Sequence, residues 1–286
     1  MKILRRVSEL LEFVAGARNR NASIGFVPTM GALHAGHLSL VKKAVEENEV
    51  SIVSLFVNPA QFNDPRDLES YPRNEEEDLK LLAKENVSAV FVPTVEEIYP
   101  DNVKGDEKIF DLGEVAEVME GKYRPGHFQG VARILYRLFN LINPNRAYFG
   151  EKDFQQIAVV RRLVESENLR VDIVACPIKR DSNGLALSSR NTLLSPQQRL
   201  IAPEIYKTLK YSVEYSKNHS VRSTIDTVVE RLDSIPEMKV EYFEIVDART
   251  LQAIEEWDES PWVVGCITVK CGDIRLIDNI TYKIPD

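Results

Sequence analysis

Two hydrophobic rhythms alternate along the first two-thirds of the chain. Short apolar runs of strand length are separated by stretches in which apolar positions recur every three or four residues, the period of a helix. Residues 23–27 (SIGFV) predict a strand, and residues 37–47 a helix with Leu38, Val41 and Val45 on one face. Residues 50–57 (VSIVSLFV) lack regular polar alternation, as expected of a strand covered on both sides. Helices follow at 75–85, with Leu79, Leu82 and Ala83 inward, at 127–142, with Val131, Ile134, Leu135, Leu138 and Ile142 inward, and at 154–165. Between them lie strands at 89–92, stopped by Pro93, at 146–149 and at 171–175. The spacing of Ile3, Leu10, Leu11 and Val14 predicts a surface helix at the start of the chain.

The rhythm changes after Cys176-Pro177. Ser195-Pro196-Gln197-Gln198 has a capping serine, a first-turn proline and a glutamine placed for a capping box. A helical pattern runs from there to about residue 217, interrupted by Pro203, and another covers 221–232. Three β-rich runs follow at 239–246, 262–269 and 274–284, and Cys271-Gly272-Asp273 predicts an antiparallel hairpin between the last two. The expected fold is therefore α/β. A Rossmann-like, doubly wound parallel sheet would span residues 1–176, and a second, smaller α+β domain residues 177–286.

Composition narrows the function. Of 286 residues, 44% are hydrophobic and 28% charged, enough apolar material for a sizeable core and too much for a disordered chain. The net charge of −8 argues against non-specific nucleic-acid binding, so an anionic substrate must be met by a local basic site. Cys176, Cys266 and Cys271 form no Cys-x-x-Cys and no disulfide framework, which suits small buried hydrophobes in a reducing compartment. Glu9 and Glu12 interrupt any signal-peptide core, and no apolar run approaches the ~20 residues of a membrane helix. A cytoplasmic protein with no membrane or nucleic-acid partner is expected.

Two of the four histidines sit three apart in Pro28-Thr29-Met30-Gly31-Ala32-Leu33-His34-Ala35-Gly36-His37, between the first strand and the first helix of the sheet. Ligands of open parallel sheets bind at such loops, and a helix N-terminus suits phosphate. Gly31 and Gly36 permit close approach, and two imidazoles can donate to a phosphate whose charge grows in a transition state. A capping pair of histidines is the bland alternative, and no carboxylate in the loop completes a metal site. Lys152, in Gly150-Glu151-Lys152-Asp153 just past a strand, is a candidate phosphate cation, with Asp153 a candidate acceptor for ribose hydroxyls; a solvated turn is the alternative. Ser188-Ser189-Arg190 offers hydroxyls and a guanidinium to phosphates. Asn58, Gln61 and Gln155 offer neutral amides to hydroxyl and carboxylate groups, and Pro28 and Met30 an apolar wall. Arg124-Pro125-Gly126-His127 is either an anion-binding turn or a capped one. Glu75-Glu76-Glu77-Asp78 is most simply the acidic first turn of a helix.

The His-x-Gly-His stretch resembles the nucleotidylyltransferase superfamily, and within it the pantoate–β-alanine ligase (pantothenate synthetase) family. Five further segments are similar in order: Phe56-Val57-Asn58-Pro59-Ala60-Gln61-Phe62, Asp67-Leu68 to Tyr71-Pro72-Arg73, Arg124-Pro125-Gly126-His127-Phe128, Phe149-Gly150-Glu151-Lys152-Asp153-Phe154-Gln155-Gln156, and Gly184-Leu185-Ala186-Leu187-Ser188-Ser189-Arg190-Asn191. Leu187 stands where the family commonly has Met. The resemblance covers most of the first 195 residues and implies condensation of pantoate with β-alanine through a pantoyl adenylate, releasing AMP and pyrophosphate. It implies ATP contacts from Met30, Gly31, Ala32, Leu33, His34, Ala35, Gly36 and His37, from Gly150, Glu151, Lys152 and Asp153, and from Ile178, Leu187, Ser188, Ser189 and Arg190. Catalysis would fall to His37, His34 and Lys152, with His37 suggested as the acid toward departing pyrophosphate. Gln61 and Gln155 would bind pantoate, helped by Asn58, Pro28 and Met30. Mg²⁺ is expected with ATP, with no protein ligand assigned, although Asp78 is a candidate. The smaller domain would cover ATP, and the resemblance implies a homodimer.

Overall fold

The computed structural model describes residues 1–100 and 108–285. Strands β1 (Lys2–Leu4), β2 (Ile24–Thr29), β3 (Val50–Leu55), β4 (Ala89–Phe91), β5 (Arg146–Gly150) and β6 (Asp172–Cys176) form one parallel sheet in the order β1-β4-β3-β2-β5-β6. The helices between them are α1 (Val7–Arg18), α2 (Ala35–Glu47), α3 (Pro65–Ser70), α4 (Glu75–Lys84), α5 (Val95–Ile98), α6 (Glu120–Tyr123), α7 (His127–Ile142) and α8 (Phe154–Ser166). Strand side chains alternate between two buried layers. Phe26, Ile52, Phe91 and Ala147 face a core shared with α1, α7 and α8, while Val27, Val53, Val90 and Tyr148 face one shared with α2 and α4. That two-sided burial is why these strands are continuous apolar runs.

The N-terminus differs from expectation. Lys2–Leu4 is an edge strand against β4, and the helix begins only at Val7. Glu9 accepts from the backbone N–H groups of Arg5 (2.8 Å) and Arg6 (3.2 Å), which caps the helix there. Ile3 faces outward from the strand, so it carried no information about a helical face. Helix α2 likewise starts two residues before the predicted His37, because His34 caps it.

In the C-terminal part, α9 (Pro196–Ile201), α10 (Glu204–Ser216) and α11 (Val221–Asp233) pack on an antiparallel sheet of β7 (Met238–Asp247), β8 (Val263–Cys271) and β9 (Ile274–Lys283), in that order. The Ser195–Gln198 capping box, the break at Pro203 and the hairpin at Gly272-Asp273 are all present. Met119 packs with Tyr242, Val246, Val264 and Cys266, joining the chain before α6 to the small sheet. Phe154 of α8 meets Trp262 edge-on at 6.3 Å between centroids. Among the described residues no helix is long and apolar enough to cross a membrane.

Candidate active site

Strand order reverses between β2 and β5. The chain builds outward from β2 through β3 to β4, then returns to place β5 and β6 on the other side. Pairing between β2 and β5 is confined to Gly25–Arg146 and Phe26–Ala147, so the two strands part beyond it. Pro28, with no N–H to give a ladder, falls within the parted stretch of β2. A cavity of about 900 Å³ opens at these carboxyl ends. Pro28, Ser54 and Phe149 line it from the large sheet, Tyr242, Cys266 and Asn279 from the small one. Ligands of open parallel sheets bind at such a switch point.

The loop from β2 to α2 is tied down by its own side chains. Gly31 takes φ +81°, which a side chain would strain, and Ala32 follows at +49°. Asp78, buried on α4, accepts from the N–H groups of Ala32 (2.8 Å) and Leu33 (2.7 Å). Asp78 thus anchors the loop through both of its carboxylate oxygens. Burial raises its pKa, the two N–H bonds oppose that, and Glu77 and Glu75 add to the rise. The histidines form a reciprocal cap: Nδ1 of His34 accepts from Gly36 N–H (3.1 Å), and Nδ1 of His37 from His34 N–H (3.4 Å). The anticipated free N–H groups at this helix start are thus largely used within the loop. Met30, His34, Gly36 and His37 reach the cavity wall, whereas Gly31, Ala32, Leu33 and Ala35 shape the loop behind it.

The cap fixes the tautomer of both rings. With Nδ1 accepting, a neutral imidazole carries its proton on Nε2. Burial, then the charge of Lys152, lowers the pKa of His34 to about 4, against a smaller opposing effect of Asp153. Burial, then His34 and Lys152, holds His37 well below the ordinary histidine value. The rings lie 4.0 Å apart between centroids. The pair is neutral near pH 7, with an N–H on each Nε2.

Lys152, after β5, is mostly buried and lies 3.3 Å from Asp153 Oδ1. Gly150, Lys152 and Asp153 line the cavity, and Glu151 does not. Ile178, Leu187, Ser188, Ser189 and Arg190 line it from the linking segment. Ser189 Oγ donates to Ala32 O (3.0 Å), tying this segment to the histidine loop, and Ser188 caps the following turn. The Arg190 guanidinium donates to both oxygens of Asp67 (3.1 and 2.9 Å). It is already paired, and any phosphate must share it with that carboxylate.

The amide cluster divides by role. Gln61 accepts from Asn58 Nδ2 (3.1 Å), and its Nε2 has only the weak acceptor Met30 Sδ (3.0 Å), so it keeps hydrogen-bonding capacity toward the cavity. Asn58, expected at the substrate, lines the cavity beside Gln61. Asn58 is 1% exposed, its amide donates to Gln61 and Gly130 O (3.1 Å each), and its oxygen accepts from Ala60 N–H (3.2 Å) and Tyr99 OH (2.8 Å). With two donors and two acceptor positions filled, it holds Gln61 in place. Gln155 lines the cavity, but its amide donates to Val115 O and Val118 O (2.8 Å each) and its oxygen accepts from Glu120 N–H (3.0 Å). Only one lone pair of its oxygen remains. His127 donates from Nδ1 to Gln61 O (2.8 Å) and accepts at Nε2 from Arg124 (3.3 Å), so the basic turn positions Gln61.

Sequence reasoning missed the groups that join the two sheets. Glu120, buried on α6, receives Tyr242 OH (2.8 Å), Thr268 Oγ1 (3.0 Å) and two bonds from Arg275 (2.6 Å each). Burial alone would raise its pKa; Arg275's hydrogen bonds and charge, with Tyr242 and Arg124, bring it down to about 2. Arg180 pairs bidentately with Asp278 (2.6 and 2.9 Å), and Asn279 Nδ2 donates to Glu151 O and Lys152 O. These partners stand 98 to 155 residues apart, and no local spacing marks them. Among the described residues no three His, Cys, Asp or Glu side chains gather as a metal site.

The model of the pantoate-beta-alanine ligase family matches residues 2–281. The chain is 53% identical to a pantothenate synthetase of Porphyromonas gingivalis over 99% of its own length and all of that protein's. Its fold is similar to the crystal structure of pantothenate synthetase from Thermus thermophilus, with a TM-score of 0.92 and 40% identity over 99% of this chain and 100% of that one. It is also similar to pantoate-beta-alanine ligase from Francisella tularensis complexed with beta-gamma ATP and beta-alanine, with a TM-score of 0.82 and 35% identity over 99% and 98% of the two chains.

Proposed function

The chain belongs to the pantoate–β-alanine ligase family, as an enzyme that joins pantoate to β-alanine with ATP, and we propose that it does so through an enzyme-bound pantoyl adenylate. In the first step the pantoate carboxylate attacks the α-phosphorus of ATP in line, the bond to the β-phosphate oxygen breaks and pyrophosphate leaves. In the second, the amine of β-alanine attacks the acyl carbon, the acyl–phosphate bond breaks, AMP leaves and the nitrogen loses a proton.

One observation carries this reading. Two imidazoles whose Nδ1 atoms are capped, leaving the proton on Nε2, share the lining of the switch-point cavity with Lys152 and Gln61. Phosphoryl transfer is catalysed mainly by position and charge stabilisation, and preformed donors need no reorganisation as charge builds. His34, His37 and Lys152 would hold the α- and β-phosphates, residues 30–37, 150–153, 178 and 187–190 the rest of the nucleotide. Gln61, with Gln155, would hold pantoate against the apolar wall of Pro28 and Met30. The beta-gamma ATP and beta-alanine with which the Francisella protein is complexed support ATP and β-alanine as ligands of this chain.

Mg²⁺ would enter with the triphosphate, since Asp78 is committed to the loop and the described residues gather no ligand set. Residues 1–176 would then form the binding domain and residues 177–286 the domain that covers ATP and excludes water from the adenylate. We place the enzyme in the cytoplasm as a homodimer, with small molecules as its partners and neither nucleic acid nor membrane. The free, buried Cys176, Cys266 and Cys271 support a reducing compartment, and the family resemblance supports the dimer. The test is exchange of labelled pyrophosphate into ATP with pantoate present and β-alanine absent. Pantoate-dependent exchange is expected; ATP binding without exchange would refute the adenylate.

A further inference from the structure

We propose that Asn279, with its neighbour Asp278, is a positioning residue for the adenylation half-reaction, aligning the two ATP-facing segments from across the seam. This rests on the function proposed above and adds a residue pair to it. Asn279 is 7% exposed on β9, and its amide nitrogen donates to Glu151 O (2.8 Å) and Lys152 O (3.1 Å). Both amide protons therefore grip consecutive carbonyls of the turn that carries Lys152. A turn of three residues held at two adjacent carbonyls has little freedom to rotate, so the direction of the Lys152 side chain is set from the other sheet.

Asp278 performs the matching task on the other segment. Its carboxylate takes both terminal nitrogens of Arg180 (2.6 and 2.9 Å) and, through Oδ1, the N–H of Asn279 (2.8 Å). Arg180 in turn donates to Gly184 O (3.2 Å) and pairs through its backbone with Ala186, closing the short hairpin that leads into Leu187, Ser188 and Ser189. Ser189 then returns to Ala32 O in the histidine loop. Two adjacent residues of β9 thus bind the segments on both sides of the nucleotide site, and neither needs to touch ATP. Asn suits the first task because only a two-proton donor satisfies two carbonyl oxygens; Asp suits the second because a bidentate fork matches a guanidinium.

The test compares Asn279→Asp with Asn279→Ala in the full-length enzyme. Aspartate has nearly the same shape but only acceptors to set against the two carbonyls. Each half-reaction is measured alone: pantoate-dependent pyrophosphate–ATP exchange, and release of AMP when β-alanine meets synthetic pantoyl adenylate. Both variants should slow exchange by about 10²-fold, the usual result of a displacement near 1 Å at reacting groups, while aminolysis changes less than about threefold. A packing role would leave Asn279→Asp close to wild type; a general structural role would lower both half-reactions together with Tm. Either result overturns the inference. Should Asn279→Asp fail to fold, Asn279→Ser keeps one donor in a smaller side chain and carries the same comparison. Wild-type enzyme that fails to exchange would refute the adenylate reading itself, whereas active wild type with unaffected Asn279 variants would refute only the positioning role.

Discussion

Replacing His37 separates proton transfer from hydrogen bonding at the phosphates. Nδ1 of His37 accepts a backbone N–H, and the ring's pKa lies well below the ordinary 6.5, chiefly through burial and then through His34 and Lys152. A group with so depressed a pKa is already neutral at pH 7, so it has no extra proton to give the departing pyrophosphate. It still offers Nε2–H. Losing one such preformed donor costs about 3–4 kcal/mol of transition-state stabilisation, which is 10²–10³-fold in turnover. His37→Ala is therefore expected to slow pantoate-dependent pyrophosphate exchange by that factor. His37→Gln places an amide N–H at about the reach of Nε2 and should recover most of it, leaving a deficit of about tenfold because the cap onto His34 N–H is weakened. The profile of kcat/KM against pH, which reports groups of the free enzyme, should run parallel for wild type and His37→Gln. If His37→Gln is as slow as His37→Ala, and the wild type loses activity on the basic side where the Gln variant does not, His37 is a proton donor and this reasoning is wrong.

Three other outcomes follow from the same geometry. Asp78→Asn keeps one acceptor for two N–H groups but also removes a buried charge whose pKa is raised, so stability should change by no more than about 1 kcal/mol while exchange falls about 10²-fold; urea unfolding beside the exchange assay would expose a purely structural role if both fell together. His127 is pulled from 6.5 to about 4, by burial first and Arg124 second, so the unfolded chain takes up its proton before the folded one: its contribution to stability is full above about pH 6.5, and on the order of 3 kcal/mol is lost as pH falls toward 4. Urea midpoints across that range should flatten in His127→Asn, which keeps a donor toward Gln61 O; an unchanged slope would discount His127. Gly130→Ala would set a Cβ 2.1 Å from Ala60 O and 2.6 Å from Gln61 Cα, so the Gln61 turn must move: KM for pantoate should rise at least tenfold with that for ATP nearly constant, and an equal rise in both would place the damage elsewhere.

The parallel sheet was readable in the chain because burial on both faces writes strands as unbroken apolar runs, and α7 was read to the residue because Val131, Ile134, Leu135, Leu138 and Ile142 all turn inward. The edge strand at Lys2–Leu4 was not, since three residues with Ile3 facing out carry no periodicity. At the site, local motifs named His34, His37, Lys152 and Gln61 because each sits within a few residues of a strand end. Sequence does not show that the Asn58 amide props its neighbour Gln61 and the Gly130 carbonyl. Asp78, Glu120, Asp278 and Asn279 act on partners far along the chain, where spacing is silent.

The reversal of strand order has a consequence for the order of synthesis. Ile24 N–H is held by Asn145, 121 residues later, and the turn bearing Lys152 is held by Asn279, 128 residues later again. The cavity's two walls are therefore brought together only by the slowest kind of contact, closure between distant segments. A ribosome-bound chain can finish β2, its histidine loop and α2 long before β5 exists to face them. The hold on the Lys152 turn is complete only after β9 has emerged. During refolding, helical signal should return well ahead of turnover.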